Sequence, residues 1–281
     1  MTVKTIWPAT CLLCVLGMLA GPSHVLYAGG AIVDPTNPSA SLGTHSATKM
    51  LSFSGYEWQV RSGYGGPGPN TWSDANVWVD SQGYLHLAIT YQNGVWSCAE
   101  VQLPSRLGFG TYTFELARQS DPLDPNIVLG LFNYPPADVG PDGTNEIDIE
   151  ISQWGDAAHP NGNYTVWPAQ AGLVHKSHTF SFPLGQTDTL HRFTWTSSQI
   201  AFESLAGPGT SANPIAYWIY APQAYAQYIS QQPMPVYMNL WLYTGGGPTS
   251  GKAVEVIIKR FTYVPLHRVY LPLVTRNTST P

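Results

Sequence analysis

The chain has 281 residues, of which 43% are hydrophobic, enough for one large folded domain and incompatible with wholesale disorder. Only 10% of the residues are charged and the formal net charge is −5, which argues against a nucleic-acid partner because polyphosphate would be repelled. The 10 Trp and 16 Tyr favour a neutral partner, with sugars foremost, because the C–H faces of sugars pack on aromatic rings.

The first 28 residues have the pattern of a secretory signal peptide. Lys4 provides a positive start, residues 9–20 form an apolar stretch, and Leu26-Tyr27-Ala28 offers the first cleavage site, with Ala20 as the second. The apolar stretch is too short to span a bilayer, and no other stretch of the sequence is long and apolar enough. We therefore expect a secreted, extracellular chain with no membrane attachment after cleavage.

Cysteine and histidine usage predicts neither a metal nor a cofactor. Cys11 and Cys14 lie within the predicted signal peptide and would leave with it, so their CxxC spacing is not a redox or zinc motif. Cys98 is the one cysteine that remains, so no internal disulfide is expected. The eight His form no cluster with the spacing of a metal site.

After a linker over residues 29–50, rich in Pro, Ser, Thr, Ala and Gly, the pattern changes to short β-type runs separated by turn residues. Many short strands without βαβ alternation predict an all-β fold, an antiparallel β-sandwich of the jelly-roll type, over residues 51–265. Residues 266–281 form a C-terminal tail. The predicted strands are Leu51–Val60, Ala75–Val79, Tyr84–Tyr91, Ala99–Leu103, Thr111–Ala117, Ile127–Asn133, Glu146–Ser152, Asn163–Trp167, Ser177–Phe182, His191–Thr196, Ile200–Ser204, Ile215–Ile219, Val236–Leu242 and Val254–Val264, with a helical turn in Pro222–Ile229.

The strand that contains Glu146, Asp148 and Glu150 carries the strongest functional signal. Side chains alternate along a strand, so the three carboxylates share one face and the intervening Ile residues share the other. Ile suits a buried face, whereas like charges in line repel and do not help folding. A solvated acidic face and a calcium or magnesium site are the alternatives, although calcium loops turn at Gly rather than run straight.

Two carboxyl groups in this arrangement match the chemistry of retaining glycoside hydrolysis, which needs a nucleophile and a general acid about 5–5.5 Å apart. The backbones of Glu146 and Glu150 are about 13 Å apart at ~3.3 Å per residue, so the side chains must lean together over Asp148 on a concave sheet. Repulsion by Asp148 would help to keep one Glu protonated.

The sequence resembles glycoside hydrolase family 16, a group of concanavalin-like jelly rolls that includes lichenases and laminarinases. The central match is the E-x-D-x-E strand from Glu146 to Glu150, and the similarity covers roughly Phe53 to Val264. Shorter matches occur in the same order at Asn70-Thr-Trp72, Asn76-Val77, Ser97-Cys-Ala-Glu100, Gly108-Phe-Gly110-Thr-Tyr112, Leu131-Phe132-Asn-Tyr134, His191-Arg-Phe193-Thr-Trp195 and Met238-Asn239-Leu-Trp241.

The resemblance implies a role for each residue of the acidic strand. Glu146 becomes the nucleophile, Glu150 the general acid/base and Asp148 the assisting carboxylate. Trp167, on the following strand, is a further candidate for a sugar-stacking ring. The full set of predicted substrate-binding residues is Tyr64, Glu100, Phe132, Tyr134, Trp167, Asn239 and Trp241.

The sequence also departs from the lichenases of this family. Thr144-Asn145 stands where they carry Trp-Asp, and Gln102 stands where they carry Arg, which changes two sugar contacts. Lys259 or Arg260 replaces the acid through which many members bind calcium, so no calcium is predicted.

The predicted activity is endo-hydrolysis of a β-linked polysaccharide by a secreted monomer. The short E-x-D-x-E form accompanies lichenases and xyloglucan enzymes within the resembled family, which favours mixed-linkage β-1,3-1,4-glucan or a related β-glucan. Few Lys or Arg are expected near the cleft, which disfavours sulfated galactans. A transglycosylase and a non-catalytic carbohydrate-binding protein on the same sandwich are the alternatives.

Overall fold

The computed structural model describes residues 49–119, 123–183, 185, 187–207 and 213–266. The predicted signal peptide, the linker up to residue 48 and the predicted tail from residue 267 lie outside the described residues. Within the described part, no helix combines the length and hydropathy needed to cross a membrane.

Seventeen strands, one short α-helix and one 3₁₀ turn make up the regular structure of the described residues. The helix, α1, spans Tyr225–Tyr228. The strands are β1 Met50–Phe53, β2 Tyr56–Val60, β3 Gly63–Gly65, β4 Asn70–Trp72, β5 Val77–Val79, β6 Leu85–Gln92, β7 Val95–Leu107, β8 Gly110–Leu116, β9 Ile127–Asn133, β10 Ile147–Ile151, β11 Gly162–Val166, β12 Lys176–Phe180, β13 Thr189–Trp195, β14 Ile200–Ala206, β15 Asn213–Tyr220, β16 Met234–Leu242 and β17 Val254–Pro265.

The strands form two antiparallel layers. Neighbours in the first sheet follow the order β1-β2-β7-β16-β9-β10-β11-β12. The second sheet has the order β5-β6-β17-β8-β13-β14-β15. The β6–β7 hairpin joins the two layers, and β3 and β4 add a short pair beside β7. The predicted jelly-roll β-sandwich is confirmed.

The core lies between the two sheets and is built from alternate residues of their strands. The three Ile of β10 are buried here, as the alternating pattern of that strand predicts. Large aromatic rings fill much of the remaining space, including Trp58, Trp195, Tyr112, Phe114, Phe193, Phe202 and Phe261. Burial of this apolar surface stabilises a chain with no disulfide among its described residues, where Cys98 is free and buried.

Three features of the first ninety residues differ from the prediction. The predicted strand Leu51–Val60 is a hairpin, because Ser54 and Gly55 adopt positive φ angles of 51° and 80° and reverse the chain in two residues. Residues 74–76 form a 3₁₀ turn ahead of β5. The two three-residue strands β3 and β4 were not predicted, because Gly and Pro in this segment obscure any alternation.

Candidate active site

Strand β10 lies in the interior of the first sheet, between β9 and β11, and its antiparallel register fixes the residues beside each carboxylate. Directly opposed residues of antiparallel strands point to the same side, so the register defines cross-strand rows on the face away from the core. The row through Asp148 contains Ser177, Thr165, Asp148, Phe132, Tyr237, Gln102 and Gln59. The row through Glu150 contains Thr179, Asn163, Glu150, Gly130, Asn239 and Glu100.

We call Glu146, Asp148 and Glu150 together the acidic face. All three side chains are buried, the most exposed being Glu150 at 5%. Among the described residues, no N–H or hydroxyl group donates a hydrogen bond to either carboxylate oxygen of Glu146 or to Oδ1 of Asp148. Buried polar groups are almost always paired in folded proteins, so unpaired buried carboxylates indicate a functional site rather than a structural one.

The environment of the acidic face favours the protonated form of each carboxyl group. Burial, and then the charges of Asp148 and Glu150, raises the pKa of Glu146 well above the usual range of a glutamate. Burial and the charge of Glu150 do the same to the pKa of Asp148. Burial raises the pKa of Glu150 to about 8. Since the three groups repel one another when ionised, the acidic face as a whole holds on to a proton at neutral pH, and this proton is available for general acid chemistry.

Trp167 orients the middle carboxylate. It follows β11, is 8% exposed, and its indole Nε1 donates a 3.0 Å hydrogen bond to Oδ2 of Asp148. The ring of His175 packs against the Trp167 ring, with 4.3 Å between the centroids. Trp167 was predicted as a sugar-stacking ring. The structure brings it to the acidic face with its N–H engaged by Asp148.

Three aromatic side chains lie next to the acidic face. Phe132 stacks on Tyr237 with 5.2 Å between ring centroids, and Tyr134 packs edge-on against both rings. The Tyr134 hydroxyl donates a 2.7 Å hydrogen bond to Asp142, which fixes its ring. The structure thus brings the predicted residues Phe132 and Tyr134 together.

Glu100 and Asn239 are in direct contact, as neighbours in the row through Glu150. The Asn239 amide nitrogen donates a 3.1 Å hydrogen bond to Oε2 of Glu100, and Arg61 donates a 3.0 Å hydrogen bond to Oε1. Trp241 lies two residues further along β16, fully buried against Trp154 and Tyr243. Its indole N–H has no hydrogen-bond partner among the described residues.

Tyr64 stands apart from the other predicted site residues. It lies on β3, which pairs with β4 and does not belong to the cross-strand rows of the first sheet. Its side chain is 75% exposed. The sequence thus identified a set of residues that mostly converge on β10, while Tyr64 lies on the short strand pair beside β7.

Sequence reasoning missed two residues at this site, Tyr237 and Arg61. Tyr237 has the same parity on β16 as Asn239 and Trp241, so the alternation that assigned those two to one face also assigns Tyr237 to it. Arg61 follows β2, and its sequence neighbours give no sign that it pairs with Glu100, 39 residues further along the chain.

The described residues contain no group of three or more His, Cys, Asp or Glu arranged to hold a metal ion. On β17, Lys259 donates a 2.7 Å hydrogen bond to Asp188, and Arg260 faces Glu115. Both cations therefore have carboxylate partners from the protein itself.

No family model matches the sequence, and no curated protein matches it either. The structure, in contrast, resembles many solved structures. A β-glucanase of Bacillus licheniformis is 19% identical, with a TM-score of 0.55 over 80% of this chain and 95% of that one. The fold is that of the family 16 β-glucanases.

Two further structures with this glucanase fold differ in their stated activity. A β-1,3-1,4-glucanase (lichenase) from a mouse hindgut metagenome is 20% identical, with a TM-score of 0.54 over 74% of this chain and 93% of that one. An immunostimulatory antigen and pseudo β-1,3-glucanase of Mycobacterium tuberculosis is 22% identical, with a TM-score of 0.56 over 75% of this chain and 91% of that one. At these identities the likeness establishes the fold, and activity must be argued from the site.

Proposed function

We propose that this chain is a secreted, retaining endo-β-glycosidase that hydrolyses a β-glucan at the acidic face of β10. The observation that carries the proposal is the line of buried carboxyl groups at Glu146, Asp148 and Glu150, in which, among the described residues, neither oxygen of Glu146 and only Oδ2 of Asp148 accepts a hydrogen bond from an N–H group. Such an arrangement lowers the stability of the fold and suits a reaction that needs one ionised and one protonated carboxyl group.

In the first step of this reaction, a carboxylate oxygen of Glu146 attacks the anomeric carbon of the sugar. The bond between that carbon and the glycosidic oxygen breaks, and Glu150 donates its proton to the departing oxygen. In the second step, Glu150 removes a proton from water, the water oxygen attacks the anomeric carbon, and Glu146 leaves with its electron pair. Asp148, held by Trp167, stays beside both residues and tunes their protonation.

The substrate that we propose is mixed-linkage β-1,3-1,4-glucan. Support comes from the short E-x-D-x-E strand, the aromatic group of Phe132, Tyr134 and Tyr237, and the lichenase among the similar structures. The absence of a free cation among the described residues of the two cross-strand rows agrees with a neutral polymer.

A non-catalytic carbohydrate-binding protein is the second candidate. Two observations favour it: the carboxyl groups are at most 5% exposed, and one similar structure is described as a pseudo β-1,3-glucanase. A binding protein, however, gains nothing from three crowded carboxyl groups, whereas a glycosidase requires two of them.

The experiment that separates the candidates is a parallel assay of reducing-sugar release on barley β-glucan, laminarin, xyloglucan, agarose and carrageenan. We expect release from barley β-glucan first, with oligosaccharides rather than glucose as early products. Retention of the chain on a β-glucan affinity gel without sugar release from any polymer would instead establish the binding protein. Release from laminarin or a sulfated galactan in preference to barley glucan would correct the substrate.

A further inference from the structure

Arg61 is held rigidly at the edge of the proposed site. Its guanidinium lies over the ring of the buried Trp72, 4.3 Å from the centroid, and donates a 3.0 Å hydrogen bond to Glu100. Gly65 packs closely against a further side of the guanidinium. A Cβ atom added to Gly65 would lie only 3.3 Å from a guanidinium nitrogen of Arg61. Because these contacts already restrict the Arg61 side chain, it loses little additional conformational entropy when it orients the Glu100 carboxylate.

The pairing with Arg61 determines how Asn239 is oriented. An ionised carboxylate only accepts hydrogen bonds, so Glu100, charged against Arg61, can bind only the NH₂ end of the Asn239 amide. The structure has this arrangement, with 3.1 Å between Nδ2 of Asn239 and Oε2 of Glu100. The amide carbonyl oxygen must then point the other way.

That carbonyl oxygen points over Gly130, toward the row position of Glu150. A Cβ at Gly130 would lie 2.5 Å from Oδ1 of Asn239, and Gly130 is the residue opposed to both Asn239 and Glu150. Oδ1 is buried and has no hydrogen-bond partner among the described residues. Asn239 and the proposed catalytic Glu150 are separated by the single strand β9. An unpaired buried acceptor in this position needs a hydrogen-bond donor from a ligand.

We propose that Arg61 is a positioning residue for the substrate. Acting through Glu100, it fixes the Asn239 amide so that its carbonyl oxygen accepts a hydroxyl of the sugar unit bound over Gly130. The inference rests on the proposed glycosidase function and makes it more specific. The sugar at this position must carry a free hydroxyl, since an ether or sulfate ester has no proton to donate to Oδ1.

The experiment compares kcat and KM on barley β-glucan for the wild type, Arg61→Gln, Arg61→Lys, Asn239→Ala and the double variant Arg61→Gln/Asn239→Ala. Arg192→Gln is the matched control, because Arg192 pairs with Glu203 in the other sheet. We expect Arg61→Gln to raise KM about tenfold with little change in kcat, because it leaves the Asn239 amide less well oriented for a contact that ground and transition states share. Arg61→Lys should restore part of the affinity, and Arg192→Gln should leave KM unchanged.

The double variant decides whether Arg61 acts through Asn239. If it does, Arg61→Gln raises KM no further once Asn239 is Ala. A further tenfold rise in the double variant would overturn the positioning role, since Arg61 would then bind substrate by itself. An unchanged KM in Arg61→Gln alone would overturn it as well.

A second measurement does not depend on activity. In the ligand-free protein, NMR should show slow solvent exchange of the Asn239 side-chain amide protons in the wild type and in Arg192→Gln, and faster exchange in Arg61→Gln. Equal exchange in all three would refute the role of Arg61. A wild type that releases no sugar while showing this exchange pattern would refute the glycosidase function and leave the orientation of Asn239 by Arg61 intact.

Discussion

Two buried polar clusters in this molecule differ in how completely their hydrogen bonds are satisfied. In the core, Tyr164 donates to Ser204 over 2.6 Å, and Ser204 lies 2.7 Å from Nδ1 of His191. Nε2 of His191 lies 3.0 Å from the hydroxyl of Thr189. We call these four residues the core network. In the acidic face, by contrast, the oxygens of Glu146 have no N–H or hydroxyl donor among the described residues.

This difference distinguishes a polar cluster that stabilises the fold, the core network, from one that we assign to function, the acidic face. The core network is a continuous chain of hydrogen bonds that runs through the Ser204 hydroxyl and both ring nitrogens of His191. Burial favours neutral His191 and lowers its pKa to about 3. Stability from this residue is lost as pH falls below the ordinary histidine pKa of about 6.5. The carboxyl groups of the acidic face have raised pKa values, so they lower stability as pH rises above about 4.5. The core network therefore lowers the free energy of unfolding at acidic pH, whereas the acidic face lowers it as the pH rises.

The largest effect that we expect concerns activity. Glu146→Gln and Glu150→Gln should each lower kcat on barley β-glucan by at least about 10³-fold, because each removes a group that takes part in bond making or breaking. Asp148→Asn should lower it less. Glu57→Gln, on the exposed edge of β2, is the matched control. Turnover near that of the wild type in either Glu variant would remove the acidic face from the mechanism.

The core network should show the reverse behaviour. Ser204→Ala removes the partner of Nδ1 of His191 and leaves the Tyr164 hydroxyl only the Ala216 carbonyl oxygen at 3.5 Å, so we expect a loss of about 2–4 kcal/mol in the free energy of unfolding. The kcat of the folded fraction should stay unchanged. Urea unfolding and steady-state kinetics on the same sample measure both, with the exposed Ser198→Ala as control. A loss of activity without a loss of stability would contradict the distinction between the clusters.

A smaller effect links the acidic face to stability. Glu150→Gln should increase the free energy of unfolding by about 1–3 kcal/mol at pH 8.5, because the wild type must there ionise a buried carboxyl whose pKa is about 8. The gain should be smaller at pH 5, where the folded wild type keeps this proton. Urea denaturation at the two pH values tests the difference. An equal change at both would show that burial of Glu150 is not what perturbs the fold.

The smallest effect is expected on removing divalent cations. Lys259 and Asp188 form an ion pair on the second sheet, at the part of β17 where the resembled family uses an acid to bind calcium. EDTA should therefore change the melting temperature by less than about 2 °C. A large decrease that added calcium reverses would show a structural metal that neither cluster accounts for.

The sequence predicted the sandwich and the acidic strand well because both follow from alternation along single strands. Ile on one face of β10 and carboxylates on the other can be read without knowing any partner strand. The Ser54-Gly55 turn was missed because two left-handed residues interrupted what looked like one continuous run. Arg61 was missed for another reason: its contact with Glu100 joins β2 to β7 across 39 residues.

The order of the strands in space also lay beyond the sequence. Asn239 and Gly130 become neighbours because β16 inserts between β7 and β9, and no local pattern encodes that insertion. The pairing of β10 with β11 brings Trp167, predicted as a sugar-stacking ring, beside Asp148, to which its indole N–H donates a hydrogen bond. Local alternation therefore found the carboxylates, and only the fold revealed what surrounds them.

The stereochemistry of the first product tests the central claim, retention by Glu146 and Glu150, most directly. Proton NMR of barley β-glucan during the first minutes of reaction should show the β-anomer of the new reducing end, with the α-anomer appearing only by mutarotation. Early appearance of the α-anomer, or the absence of any new reducing end, would contradict a double displacement at the acidic face.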